Sequence, residues 1–171
     1  MNWRQVAGDG GRGMWAADDG ALVLGKTGWN GTDVQAWVLE GHTELGQGSP
    51  GTGGVVPTLA GRGLAGLGRT FTLETENARG GAVGACFCAF GPATNTPLGS
   101  AVLYLQQPIA TLAFATGGVA GLPGSGTASV PVAVPSSTDF AGLRLLSQAF
   151  VVDPAVADGF AATPAIETWI R

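Results

Sequence analysis

Residues 1–45 alternate between short apolar runs and tight polar turns. Four runs of five to eight residues are separated by glycine-rich turns that contain Asp-Gly or Asn-Gly. These dipeptides favour hairpins because both of their residues tolerate a positive φ. The pattern therefore predicts a four-stranded antiparallel meander, about the size of one propeller blade. The predicted strands are 3–7, 13–17, 21–27 and 33–40.

A longer series of strands is predicted in residues 55–171. Its clearest segment runs from Thr70 to Glu74, where polar and apolar residues alternate as in a half-buried strand. Pro131 interrupts another apolar run, which predicts an edge strand or a bulge there. Seven or eight strands with turns between them indicate an antiparallel sandwich of two sheets. The predicted strands are 55–60, 70–76, 82–89, 101–106, 109–115, 126–134, 142–153 and 164–170.

Between these two regions, residues 46–54 read Gly-Gln-Gly-Ser-Pro-Gly-Thr-Gly-Gly. Such a composition, without strand or helix periodicity, is typical of a flexible linker. Four of the five tryptophans precede it. The chain is therefore predicted to be all-β and to consist of a propeller-blade-like meander at 1–45, a linker at 46–54 and a sandwich at 55–171.

Composition narrows the classes of protein and of partner. Glycine accounts for 30 of the 171 residues and 12% of residues are charged, while 45% are hydrophobic. The hydrophobic fraction excludes a disordered chain, and the irregular glycine spacing excludes collagen. A net charge of −4 with a single lysine provides no basic patch for nucleic acid. No apolar run approaches the ~20 residues of a membrane-spanning helix.

Several segments beyond residue 46 carry a further pattern. A Gly-Ser-Pro-Gly-Thr linker leads into Pro-Thr-Leu at 57–59 and a Phe-Thr-Leu strand at 71–73, and a glycine turn precedes a Ser/Val strand at 124–132. The spacing Gln-x-x-Val-x-Asp-Pro occurs at Gln148, Val151, Asp153 and Pro154. Together these segments resemble a C-terminal β-sandwich module of large secreted and cell-surface proteins of environmental bacteria. The resemblance covers roughly residues 46–171, implies an extracellular or cell-surface location, and carries no catalytic motif.

Two further expectations come from resemblance. Members of that module join a linker cysteine to a mid-domain cysteine, and the matching positions are Ser49 and Ser100, so this disulfide is expected to be absent. The N-terminal part resembles the final blade of a propeller-like or repeat array through the spacing of Trp15, Asp18 and Gly20. That second resemblance implies that Met1 lies inside a longer natural protein.

Cys86 and Cys88 are two residues apart in a predicted strand, so their side chains share one face. Their β-carbons start nearly ~7 Å apart, whereas a disulfide needs ~4.5 Å or less. Both are therefore expected to be buried, reduced and packed as small apolar residues. His42, the only histidine, adds too few ligands for a metal site. Without a Gly-x-Ser-x-Gly elbow in the chain, it is expected to be an ordinary surface residue.

The carboxylates are the first candidates for an enzyme site, because a glycosidase needs two that face each other across a cleft. Glu74 and Glu76 share a strand face with threonines, which predicts a solvated surface. Asp9, Asp18 and Asp19 lie in glycine turns, where short carboxylates cap backbone amides. Calcium ligation is the alternative for these three residues, although no complete calcium-loop spacing is present. No enzyme activity and no cofactor are expected.

Trp29 is the main candidate for ligand binding, since its Gly-Trp-Asn-Gly turn leaves a large ring available to stack on a sugar or a partner. The adjacent Asn30 is a further candidate and begins an Asn-Gly-Thr glycosylation pattern. Trp15 is the second aromatic candidate. With Trp3 and Trp37, however, it is expected mainly to fill the core of the meander or its interface with the sandwich.

The expected function is that of a non-enzymatic extracellular module, structural or adhesive, able to assemble with copies of itself into a surface layer or filament. Low charge supports this expectation, because charged residues normally guard sheet edges against pairing. The alternative is a carbohydrate-binding accessory domain of a secreted hydrolase that uses Trp29 and Trp15. The expected partners are therefore further copies of the chain or a glycan.

Overall fold

The computed structural model describes residues 41–171 in full and, before them, the backbone of four strands only. The chain is all-β, with 50% of its residues in strands and 5% in helices, and its sheets are antiparallel. It divides into two compact units, residues 1–41 and 42–171. The helical residues form two short 3₁₀ turns, Thr52–Gly54 and Thr138–Phe140. The strands are β1 Trp3–Ala7, β2 Arg12–Ala17, β3 Leu22–Thr27, β4 Val34–Val38, β5 His42–Leu45, β6 Thr58–Arg62, β7 Thr70–Ala78, β8 Val83–Phe90, β9 Thr96–Leu98, β10 Ala101–Leu103, β11 Ala110–Ala115, β12 Gly126–Ala133, β13 Arg144–Val152 and β14 Phe160–Trp169.

The first unit contains one antiparallel sheet with the order β1-β2-β3-β4. Each strand pairs with its neighbour in sequence, as short hairpin connections require. Its strand bounds lie within two residues of the predicted ones. The turns between these strands, with the aspartates and Trp29 that they carry, lie outside the described residues.

The second unit contains a five-stranded sheet of order β11-β8-β13-β14-β5 and a three-stranded sheet of order β12-β7-β6. A separate hairpin joins β9 to β10. All eight strands predicted after residue 54 have a counterpart here, but β5 and β9 were not predicted. Pro131 lies on β12, which is an edge strand with an irregular register near Gly126, so the prediction of an edge or bulge is confirmed.

The main core is a cluster of side chains from both sheets. Phe71 and Leu73 of β7 pack in one cluster with Cys86 and Cys88 of β8 and with Ile166 of β14. Along β7 these apolar side chains are buried and alternate with half-buried or exposed threonine and glutamate, which confirms the predicted alternation. Cys86 and Cys88 are buried and unbridged, also as predicted. Apolar burial from both sheets thus stabilises this unit.

A second, smaller apolar cluster lies on the opposite face of the five-stranded sheet. Ala89 and Leu146 of that sheet pack against Leu105, which follows β10 in the chain. Gln148 of β13 lies beneath the segment of residues 102–105 and is completely buried. Its amide binds the backbone of residues 102 and 104.

The glycine-rich segment 46–54 lies inside the second compact unit, whose boundary falls at residues 41 and 42. Ser49 is buried and exchanges hydrogen bonds with Ala162 at 2.8 and 2.9 Å. Thr52 is held by Asp153. A β-carbon at Gly48 would overlap the carbonyl oxygen of Ala162. Glycine at this position therefore permits close packing of the backbone, which is a different role from chain flexibility.

His42 is not the ordinary surface residue that was expected. It is half-buried, its Nε2 donates to the carbonyl of Gly63 at 2.7 Å, and its Nδ1 lies 2.9 Å from the Thr168 hydroxyl. The ring also packs against Phe71, with centroids 5.5 Å apart. These contacts join β5 of one sheet to the end of β6 in the other. We call this flank of the unit, formed by β5 and β6, the closed side.

We expect Gly61→Ala to lower the free energy of unfolding by about 2 kcal/mol, because core overpacking costs roughly 1–3 kcal/mol. A β-carbon at Gly61 would overlap the ring of His42, which its hydrogen bonds hold in place. Urea unfolding followed by tryptophan fluorescence measures the change. Gly117→Ala is the matched control, since a β-carbon there would approach only Thr127, at 3.7 Å. Equal stabilities of the two variants would contradict the described packing.

Candidate functional site

The flank opposite the closed side is formed by β11 and β12, the remaining edge strands of the two sheets. We call this flank the open side. The amide of Gly117 donates to the carbonyl of Thr127 at 2.8 Å and joins the two strands at one end. Toward Ala110 and Ala133, at the other ends of β11 and β12, a groove separates them.

The groove has a volume of about 270 Å³ and is open to solvent. Its walls include Leu112 of β11 and Val132 of β12, and Phe140 and Ile170 also line it. All lining residues are uncharged, and most are aliphatic or aromatic. Ile109 lies at the groove with 59% of its surface exposed. Apolar grooves are common binding sites for apolar ligands or for protein segments.

One edge of the groove offers unpaired backbone groups. Thr116 donates to Ala82 at 2.8 Å, and β11 pairs with β8 in a regular register from Ala110 to Ala115. Because hydrogen bonding alternates along an antiparallel strand, the even-numbered residues of β11 bond to β8. The N–H and C=O groups of Thr111, Ala113 and Ala115 therefore point away from the sheet. Within the described residues no further strand pairs with this edge.

The charge distribution separates the open side from the rest of the unit. Asp139 is the only charged residue between Arg79 and Arg144, a stretch that contains β8 to β12. The closed side, by contrast, carries Glu44 on β5 and Arg62 on β6. Charged side chains on edge strands oppose pairing with another sheet, because pairing would desolvate them. The open side lacks this protection.

Cys88 lies at the floor of the groove and is 2% exposed. A hydrogen bond with the Cys86 thiol lowers the pKa of Cys88 to about 7, and the Ser147 hydroxyl, 3.5 Å away, acts in the same direction. The same hydrogen bond between the two thiols, together with burial, raises the pKa of Cys86. Among the described residues, no three His, Cys, Asp or Glu side chains converge to hold a metal ion.

Asp153 is a second polar feature and lies beside a small cavity lined by Thr52 and Arg79. It is buried and accepts hydrogen bonds from Thr52 N (2.6 Å), Thr52 Oγ1 (2.7 Å) and Arg79 Nη1 (2.9 Å). Burial alone would raise the pKa of Asp153, but the bonds from Thr52 and Arg79 lower it below the ordinary value. All of these partners belong to the protein, which makes this carboxylate a structural anchor for segment 51–55.

The sequence-predicted ligand residues lie in the first unit. Trp15 is on β2, but its side chain is outside the described residues. Trp29 and Asn30, as well as the candidate calcium ligands Asp9, Asp18 and Asp19, also lie outside them. The described residues therefore do not show whether these side chains lie close together. Their assignment remains a prediction from the sequence.

Sequence reasoning missed the groove, although one signal for it was present. The residues of its walls, such as Leu112 and Val132, belong to strands of different sheets, so local periodicity could not relate them. The nearly charge-free stretch between Arg79 and Arg144 is visible in the sequence and coincides with the open side.

No family model, curated protein or solved structure matches this chain. In the part of the chain that the structure describes, no helix has the length and hydrophobicity needed to cross a bilayer.

Proposed function

We propose that this protein is a non-enzymatic structural or adhesive module of the cell exterior that associates with copies of itself. In this proposal, residues 42–171 form a two-sheet antiparallel sandwich and residues 1–41 a blade-like meander. The chain serves as a building block of a surface layer or filament. Its partners are further copies of the same chain.

The observation that carries the proposal is the open side, where an apolar groove lies beside an edge strand with no charged residue. Exposed apolar grooves and unguarded strand edges are the two features by which β proteins most readily associate. Protein–protein association at such a surface buries the groove and pairs the free backbone groups of β11. A charge-free surface also meets its own copy without like-charge repulsion.

The buried polar groups support a structural role and not a catalytic one. In residues 41–171, every buried side-chain nitrogen or oxygen has a hydrogen-bond partner within the protein. Gln148 and Asp153, the polar residues of the Gln-x-x-Val-x-Asp-Pro pattern, hold segments of backbone in place. Catalytic groups, by contrast, usually need a free face toward a substrate.

The extracellular location rests on the resemblance to the terminal module of secreted and cell-surface proteins. At the two positions that match that module's cysteines, the Ser49 hydroxyl accepts a hydrogen bond from Ala162 N, and the backbone N–H of Ser100 donates to the carboxylate of Asp158.

Size-exclusion chromatography with light scattering on the full chain tests the proposal. Concentrations from about 1 to about 100 μM bracket moderate and weak association. We expect the mean mass to rise with concentration above that of the 17.0 kDa chain, and negative-stain images to show regular oligomers or filaments. A monomer throughout this range would overturn the proposal. If that monomer bound a glycan array, the carbohydrate-binding alternative through Trp29 and Trp15 would replace it.

A further inference from the structure

We infer that two copies of this chain pair through β11, antiparallel across a two-fold axis, with Ala113 opposite Ala113 of the second copy. The inference rests on the proposed self-association and specifies one surface of it, the contact that forms a dimer; a layer or filament needs a second contact in addition. It extends the five-stranded sheet into a continuous sheet of two copies. The apolar grooves of both copies then flank the shared strands.

In the five-stranded and three-stranded sheets, each of the other edge strands carries a charged residue or a proline that opposes pairing. On β5, the exposed Glu44 would approach its own equivalent across a two-fold axis. On β6, Arg62 would do the same. On β12, the regular register with β7 and the bond from Val134 N to Arg69 O turn the nitrogen of Pro131 outward, where proline has no hydrogen to donate. Among the edge strands of these two sheets, only β11 has neither a charged residue nor a proline.

The hydrogen-bonding groups of β11 have the symmetry that this pairing requires. The outward N–H and C=O groups belong to Thr111, Ala113 and Ala115, so they are centred on Ala113. A two-fold axis at Ala113 sets Thr111 opposite Ala115 of the second copy and leaves Ala113 opposite itself. Each of these positions is a hydrogen-bonded pair in an antiparallel ladder. A self-complementary surface of this kind is the condition for a closed two-fold dimer.

The side chains of β11 are also suited to antiparallel pairing with a second β11. Thr111, Ala113 and Ala115 are exposed and small, so they form a flat face across the join. Leu112 and Phe114 point toward the core face and are half-buried. In the same register Leu112 lies opposite Phe114 of the second copy. The apolar layer beneath the sheet therefore continues from one copy to the other.

Charge substitution at Ala113 tests the inference. Ala113→Lys and Ala113→Asp each place two like charges directly opposite one another, and either variant is expected to weaken association at least about tenfold, since like-charge juxtaposition costs several kcal/mol. A mixture of the two variants should restore association, because lysine then faces aspartate. Rescue by mixing requires the two positions to meet and would not follow from a change in folding alone.

Thr43→Lys and Thr111→Lys form a matched pair. Both threonines are exposed on edge strands of the same five-stranded sheet, at opposite ends of it. Association should be weakened by Thr111→Lys and unaffected by Thr43→Lys. Ala113→Cys should form a disulfide-linked dimer under oxidation, with the unsubstituted chain as control, because Cys86 and Cys88 are buried.

The outcomes distinguish the inference from the proposed function. If the unsubstituted chain associates but the Ala113 and Thr111 variants associate equally well, the β11 interface is wrong and self-association stands. If charge reversal fails to restore association in the mixture, pairing centred on Ala113 is likewise overturned. If the unsubstituted chain is monomeric at all concentrations, both the proposed function and the inference are overturned.

Discussion

Asp153→Asn is expected to lower the free energy of unfolding by about 3 kcal/mol, the low end of the 3–5 kcal/mol that breaking a buried ion pair typically costs. The substitution removes the charge that Arg79 and Thr52 face, and it places an amide N–H₂ among hydrogen-bond donors. The side chain of Asp153 is 2% exposed and that of Arg79 is 26% exposed, so water compensates little at the carboxylate. Urea unfolding at pH 7 measures the difference.

The same carboxylate predicts the acid dependence of stability. Its pKa is lower in the folded chain than in the unfolded chain, so the folded state is stabilised by its ionisation. This stabilisation is complete above the unfolded value of ~3.9 and is lost as the pH falls through the lower, folded pKa. The stability difference between the unsubstituted chain and Asp153→Asn should therefore shrink on acidification below about pH 4.

Asp158→Asn provides the control for both measurements. The hydroxyl of Ser100 and then its backbone N–H, which lies 2.7 Å from the carboxylate, lower the pKa of Asp158 by hydrogen bonding. Asp158 lies nearer to solvent, however, and no cation faces it in the described residues. Its substitution should change stability much less. If the two variants were equally stable, the anchoring role of Asp153 would be incorrect.

The strands of the second unit could be predicted because their signals are local. On β7 the alternation from Thr70 to Glu74 appears directly in the sequence, and Pro131 marks the edge position of β12. β5 carries no comparable pattern, since its four residues His-Thr-Glu-Leu pair with β14, which lies more than a hundred residues away. A strand that depends on such distant pairing is not visible to local periodicity.

The role of segment 46–54 shows a second limit of sequence reasoning. Glycine serves both flexible linkers and tight packing, and composition alone does not distinguish them. At Gly48 the deciding contact is the carbonyl of Ala162, again distant in the chain. Ser49 is buried there although serine is usually exposed, because Ala162 supplies its hydrogen-bond partners.

The candidate site was only indirectly predictable. The low fraction of charged residues did indicate sheet edges without charged side chains. In the described residues, β11 and the adjoining groove are the uncharged surface. The choice of this edge among the four edges of the two larger sheets required the register, because only pairing with β8 determines which groups of Thr111 and Ala113 point outward. The sequence motif around Gln148 and Asp153 likewise identified residues without revealing their partners.

Gln148→Leu is expected to lower the free energy of unfolding by about 3–5 kcal/mol, since each unsatisfied buried polar group costs roughly 1–3 kcal/mol. Gln148 Nε2 donates to the carbonyls of Val102 (2.9 Å) and Thr163 (3.0 Å), and Oε1 accepts from Tyr104 N at 3.1 Å. Leucine has a similar volume but satisfies none of these groups. The substitution therefore isolates hydrogen bonding from packing.

Gln148→Glu separates donor from acceptor roles. A carboxylate still accepts from Tyr104 N, but it would confront the carbonyls of Val102 and Thr163 with no hydrogen to donate. Both variants should be less stable than the control Gln106→Leu. The control makes the same chemical change as Gln148→Leu, but at an exposed position just beyond segment 102–105. Stability of Gln148→Leu equal to that of the control would contradict the anchoring role.

Hydrogen exchange distinguishes local release of segment 102–105 from global unfolding. Tyr104 has a second anchor, since its hydroxyl accepts from Gln47 N at 2.8 Å and donates to Gln47 O at 3.2 Å. If Gln148 acts mainly on the segment above it, the Tyr104 amide should exchange faster in Gln148→Leu while amides in the centre of β13 keep most of their protection. Equal acceleration at both places would indicate instead that Gln148 stabilises the whole unit, because the cover of Leu105 over Leu146 would be lost together with the sheet.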